Sequence, residues 1–177
     1  LALTLDIQSG YFEKLLLTST PRFAIVLGRM LSDAIKAMVL AVAIIALGLG
    51  FGAGFETGVI GMVALVLAAG AFALSYSGIG VAIALKTGSP QAAQAGFIIF
   101  FPLLFLAPTF APTEVFAGWL EAIATVNPVT YILEGQRALI IAGWEWGDIA
   151  QGLAATGGIA VFTFTLTVLA LRGRAVA

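Results

Sequence analysis

Five of the nine acidic residues fall between positions 111 and 148: Glu114, Glu121, Glu134, Glu145 and Asp148. A pair of carboxylates can run a hydrolysis, one as acid and the other as base. Here they would have to work alone, because the chain contains no histidine and no cysteine and no evident nucleophile lies near them. A solvated acidic rim accounts for them better than a catalytic pair. Without cysteine there is also no disulfide framework and no thiolate metal site, and without histidine the commonest metal ligand is missing. The nearest approach to a phosphate loop, Gly80 to Thr87 (GVAIALKT), has Leu85 where a second glycine must stand. Gly48 to Ala53 (GLGFGA) has the spacing of a dinucleotide fingerprint but no strand before it. Gly48, Gly50, Gly52 and Gly54 read instead as positions that let backbones pack closely or end a helix. Gly78 with Ala82, and Gly80 with Ala84, read as small-residue packing positions. No cofactor and no metal is therefore expected on this chain, and no basic face for nucleic acid is present.

Two charges fall well inside a span. Asp33 and Lys36 stand inside an otherwise apolar run. At i, i+3 they share a helix face and neutralise each other. The functional reading is a conformational latch or a substrate contact; the structural reading is a couple that snorkels at the interface, near one end of the span. Ser75, Tyr76, Ser77, Gln91, Gln94 and Thr109 are polar groups that would either line a path or bond across helices.

What must position these residues is a membrane bundle. Hydrophobic residues make up 61% and charged residues 10%, against about 45–50% and about 25% in soluble domains. Mean hydropathy is +1.11. The fold class expected is an all-α, polytopic membrane helix bundle forming one domain over 1–177. Apolar runs long enough to cross hydrocarbon cover about 30–51, 59–85, 91–110 and 149–171. Pro102 should kink the third. Phe51 to Gly58 and Lys86 to Pro90 read as turns. Leu1 is not a start methionine and no charged segment precedes Leu1 to Ile7, so an upstream part of the protein is expected.

Ahead of the first span, Ser9 to Arg29 is both amphipathic and basic. Tyr11, Phe12, Leu15 and Leu16 recur at helical spacing with Glu13 and Lys14 between them. Ser9–Gly10 starts this helix and Thr20–Pro21 stops it. It is either a handle that a soluble partner grips or an interfacial helix parked at the headgroups. Placing it inside puts Lys14, Arg22, Arg29, Lys86, Arg172 and Arg174 on the cytoplasmic side, with only Arg137 outside and Lys36 in a span. The outside segment 111–148 is too apolar for a plain loop. Asn127–Pro128 is a helix start, with Asn capping and Pro at the first position. Ile132, Leu133, Gln136, Leu139 and Ile140 would share a face, and Glu134 and Arg137 would pair. With Val115 to Val126 upstream and Trp144 and Trp146 as an aromatic belt, two short helices dipping into the outer leaflet fit the segment.

Four stretches together resemble the permease subunits of type-2 ATP-binding-cassette exporters, in particular the daunorubicin-resistance-like family. A run of the form G-T-hydrophobic-E-[RK]-L-L-x-T-P is similar to Ser9–Ser19, with Thr20–Pro21 slightly displaced. The pattern G-[KR]-x-x-x-D-x-x-[RK] matches Gly28, Arg29, Asp33 and Lys36. S-P-x-x-A-Q matches Ser89, Pro90, Ala93 and Gln94, and N-P-x-T-Y-x-x-[ED]-x-x-R matches Asn127, Pro128, Thr130, Tyr131, Glu134 and Arg137. The resemblance implies six spans, of which this chain holds the last four. It implies that Tyr11, Phe12, Glu13, Lys14, Leu15 and Leu16 form a coupling helix that docks on a separate ATPase subunit, which carries the ATP and Mg. It also implies that Asn127, Pro128, Tyr131, Glu134 and Arg137 belong to an outer gate. A transport subunit rather than an enzyme is expected, acting on a drug, lipid or glycan-type substrate. It would work with a second permease copy in the plasma membrane of a prokaryote. The alternative is an ATP-independent channel or ion-coupled carrier.

Overall fold

The computed structural model describes residues 22–109, 116 and 118–174. The predicted coupling helix, with Tyr11, Phe12, Glu13, Lys14, Leu15 and Leu16, lies outside the described residues, as does Glu114. Every regular element described is helical. They are α1 (Arg22–Gly50), α2 (Gly58–Thr87), α3 (Pro90–Phe105), α4 (Gly118–Val126), α5 (Pro128–Arg137), a wide π-helical turn (Ala138–Ala142) and α6 (Trp146–Arg174). Three of them, α1, α2 and α6, are long and apolar enough to cross a membrane.

Those three stand level with one another. A Cβ on Gly78 of α2 would meet Met30 at 3.3 Å, and the space above Gly70 is filled by Met38. Each step up α1 is therefore one step back along α2. Threonine bonds fix the other neighbour: Thr163 Oγ1 donates to the Ser75 carbonyl at 2.6 Å and Thr167 Oγ1 to the Gly78 carbonyl at 3.1 Å. α6 thus runs parallel to α2 in constant register. By these registers Arg22 is level with Lys86 and Arg174, and Gly50 with Gly58 and Trp146. Helices of 29, 30 and 29 residues give a block about 44 Å tall, close to the ~40–45 Å of a bilayer with its headgroups. One end is basic (Lys86, Arg172); the other carries Glu56, Glu145, Asp148 and the stacked Trp144 and Trp146.

The core of the block lies toward its basic end, where Val26 and Met30 of α1 meet Val81, Ala82, Ala84 and Leu85 of α2 and Ala170 of α6. Gly78, Ala82 and Ala84 are buried there, as their small size predicts. Thr163 and Thr167 are fully buried. A Thr163→Val variant keeps the shape but loses the bond to Ser75. We expect it to lower stability in detergent by about 1 kcal/mol, with Thr163→Ser close to wild type. Thermal unfolding of the three proteins checks this, and equal midpoints would show that the hydroxyl is dispensable.

The expected third span comes out differently. α3 has 16 residues, about 24 Å, which is short of the ~30 Å hydrocarbon core. Its start is well specified. Gly88 sits at φ 64° and closes α2 by donating to the Ala84 carbonyl, a conformation that glycine adopts without strain. Ser89 then caps α3 through Ala92 N, with Pro90 in the first turn. Its end is sealed rather than continued: Leu106 N bonds the Pro102 carbonyl and Thr109 Oγ1 the Leu104 carbonyl at 2.6 Å. Pro102 lies inside the helix, where its missing N–H leaves one i−4 carbonyl free. α3 is held to α2 by rings, with Phe100 against Tyr76 at 4.9 Å and Phe72 at 5.9 Å.

Candidate functional site

The residues of the Asn-Pro motif build a junction. α4 and α5 form a hairpin whose turn is Asn127, and this turn meets the end of α3. The Asn127 side chain bonds in two directions. Its oxygen accepts from Val129 N at 3.0 Å and caps α5, and its amide donates to the Leu103 carbonyl at 2.6 Å. Pro128 occupies the first turn, as the motif predicts. Tyr131 Oη donates to the Thr125 carbonyl at 2.5 Å, which closes the hairpin on itself. Arg137, one helix length further on, donates to the Pro108 carbonyl at 2.6 Å. Asn127 and Arg137 therefore grip α3 and the residues just after it at two points, through backbone carbonyls that the helix end leaves free. Thr130 Oγ1, buried in the first turn of α5, has no hydrogen-bond partner among the described residues.

The hairpin is pressed on α6 by two glycines. A Cβ on Gly152 would lie 2.9 Å from the Tyr131 carbonyl oxygen, and one on Gly135 would lie 2.9 Å from that of Asp148. Backbone meets backbone, so neither position has room for a side chain. Beyond Arg137 the chain opens into the π-helical turn. There the Leu139 carbonyl accepts from the Thr57 hydroxyl and the Ile140 carbonyl from Glu56 N at 3.0 Å. This clamps the hairpin to the α1–α2 turn at the acidic, aromatic end. Of Ile132, Leu133, Gln136, Leu139 and Ile140, expected to share a face, Ile132 and Leu139 are buried and the other three half-buried.

Between α2, α5 and α6 lies a cavity of ≈ 110 Å³. The stripe Ala64, Ala68 and Ala71 forms one wall, with Ile132, Gln136 and Leu153 opposite. Drug-sized pockets run about 300–1,000 Å³. This cavity admits a small apolar group and no more.

Asp33 and Lys36 are brought together as their spacing predicts, with Nζ to Oδ1 at 3.1 Å. Their height is a different matter. The α1–α2 register sets Asp33 level with Ser75 and Lys36 with Phe72, halfway along the 30 residues of α2. Lys36 is thus about 21 Å below the level of Lys86. The apolar run itself starts at Met30, and the described part of α1 extends eight residues further toward the basic end, to Arg22.

Sequence reasoning missed the contacts between elements: Asn127 to Leu103, Arg137 to Pro108, and Gly135 against Gly152. The threonines at i, i+4 in α6, Thr163 and Thr167, were a visible signal of a polar seam. No motif pairs glycines 17 residues apart. Among the described residues no three of His, Asp, Glu and Cys come together to hold a metal.

A sequence profile of the ABC-2 type transporters matches residues 1–141. The chain belongs to the ABC-2 type transporter family. Over 174 residues it is 26% identical to the daunorubicin resistance ABC transporter permease protein DrrB1 of Streptomyces coeruleorubidus, covering 98% of this chain and 62% of that protein. It is 34% identical over 65 residues to the putative transport permease ycf38 of Pyropia yezoensis, 31% of this chain and 22% of the relative. The chain thus spans less than two thirds of the length of the curated relatives it matches. No solved structure matches. Family membership and three spanning helices make this a multi-pass membrane protein of the ABC-2 permease type.

Proposed function

We propose that this chain is the membrane permease of an ATP-driven exporter. It would move a hydrophobic drug, lipid or glycan-type substrate outward on energy supplied by a separate ATPase subunit. The observation that carries this reading is the family match together with the alignment to a drug-resistance permease along 98% of the chain. The basic end of the block would face the cytoplasm, in keeping with the positive-inside rule. The Asn127–Arg137 hairpin would then sit on the outer side as the gate. Because the α2–α5–α6 cavity is too small for a drug, the path would run along a surface of the block that a second copy of the permease helps to enclose. Motion would enter through Tyr11, Phe12, Leu15 and Leu16, with Glu13 and Lys14 setting the register of docking. ATP and Mg would reside on the partner.

One observation favours the rival reading of an ion-coupled carrier. Charges and helix ends at mid-height are typical of such proteins, and both Asp33–Lys36 and the end of α3 stand well inside the block. The ATPase decides between the two. In the native prokaryotic membrane, a tagged permease should co-purify with an ABC ATPase, and the double variant Glu13→Ala, Leu16→Asp should reduce that recovery by about tenfold or more, the loss of one or two buried contacts. Unchanged recovery would count against docking at this helix. Export without any ATPase would favour the carrier.

A further inference from the structure

Among the described residues no side chain fills the cavity between α2, α5 and α6. Its volume of ≈ 110 Å³ is below the about 150 Å³ that admits benzene in an apolar protein interior. Ala64, Ala68 and Ala71, at i, i+4 and i+7 on one face of α2, leave the space that longer side chains would take. Ile132, Leu139 and Thr156 are buried at its walls, whereas Ala71 and Leu153 are exposed and mark the side on which it opens. Gly135 and Gly152, which press the hairpin on α6, line it as well.

Water is a poor occupant, because a buried water needs about two to four polar partners. Thr156 already donates its hydroxyl to the Gly152 carbonyl at 2.9 Å, which leaves Gln136 as the lining side chain with a donor to offer. An apolar cavity of this kind stays dry, and an empty one forfeits contacts along its walls. Depth says what fills it. At about 1.5 Å per residue, Ala68 and Ala71 lie about 15 and about 20 Å from the level of Gly58, where α2 begins. A ~30 Å hydrocarbon layer placed anywhere within a block about 44 Å tall covers everything from about 14 to about 30 Å below either end. Both alanines fall in that stretch, so they stand at the depth of acyl chains wherever the bilayer is centred. Ala71 also lies within the range open to the bilayer midplane, where the chains end.

We propose that this cavity takes the terminal carbons of a membrane phospholipid's acyl chain, and that the chain end keeps the α4–α5 hairpin seated on α6. The chain end restores the contacts that the void lacks. It does so beside the Gly135–Gly152 crossing, so it favours the seated hairpin over a detached one. The inference goes beyond the transport reading and does not depend on it, since it involves neither an ATPase nor a cargo. The test uses the full-length protein in phosphatidylcholine vesicles doped with a phosphatidylcholine that carries a diazirine at the end of one acyl chain. After irradiation, tags should appear at Ile132 and Leu139, which are buried from bulk lipid, as well as at the exposed Val63 and Leu67 of α2. Ala68→Leu fills the cavity with the protein's own hydrocarbon. It should cut the tags at Ile132 and Leu139 by about tenfold or more and leave those at Val63 and Leu67 unchanged. Ala64→Val is a second filling variant if Ala68→Leu fails to fold. Tags absent from Ile132 and Leu139, or undiminished in the filling variants, overturn the proposal. So does equal tagging by a lipid whose diazirine sits beside the glycerol ester, because that end of the chain stays outside. In cholate, a detergent without a linear chain, Ala68→Leu should shield residues 138–146 from protease better than wild type does; equal cleavage would overturn the seating role.

Discussion

A Gly152→Leu variant is expected to detach the α4–α5 hairpin from the bundle. The hydrogen now on Gly152 faces backbone, not side chains. A Cβ there would stand 2.9 Å from the Tyr131 carbonyl oxygen and 3.6 Å from the α-carbons of Ile132 and Gly135. A side chain in the way could rotate; a helix backbone can only move as a whole. α5 would have to withdraw from α6 and take the clamp at Glu56 and Thr57 with it. The cost should reach about 3 kcal/mol, the upper range for overpacking. Gly157→Leu is the control, since it lies on the same helix with nothing within 4 Å of its Cβ position. Thermal unfolding in detergent should therefore show a large drop for Gly152→Leu and almost none for Gly157→Leu. Protease cleavage within residues 138–146 should rise only in the first. Equal behaviour of the two variants would mean that the crossing is looser than described.

The second large effect is expected at Asn127, where one amide does two tasks. Asn127→Leu keeps the volume but removes both the α5 cap and the bond to the Leu103 carbonyl. A lost cap costs about 1 kcal/mol, and a carbonyl stranded away from water adds about 1–3 kcal/mol. The sum is about 3 kcal/mol, enough to separate the hairpin from α3. Asn127→Asp splits the tasks. Its carboxylate still accepts from Val129 N but cannot donate to Leu103. It should fall between wild type and Asn127→Leu, and unfolding midpoints of the three proteins give the order. An Asp variant as stable as wild type would assign the whole effect to the cap.

These two positions also mark where sequence reading succeeds and where it stops. Asn127–Pro128 was legible as a helix start because capping is local: the side chain bonds a backbone group two residues away. Ser89–Pro90 carries the same local signal but was read only as part of a turn, and the long apolar runs of α1, α2 and α6 follow from composition. The Asn127 amide reaching Leu103 was not legible, because it spans 24 positions and depends on where α3 ends. That end is set by Thr109 and Leu106 folding back on the last carbonyls, which hydropathy does not register. So a span expected to reach residue 110 stops at Phe105. The Asp33–Lys36 pair was legible as a pair from its spacing; its level against Ser75 and Phe72 was not, since that depends on how α1 slides against α2 and no single helix encodes it.

The shared register of α1, α2 and α6 carries a consequence for the lipid around them. It is pinned by Thr163, Thr167 and Gly78, so none of the three can lean alone when the hydrocarbon thins or thickens. Mismatch must be met by the whole block tipping. α3 is tied less tightly to the hairpin, whose Asn127 and Arg137 each hold it by a single carbonyl. Acyl-chain length would then act as a mechanical load on that seam and on little else.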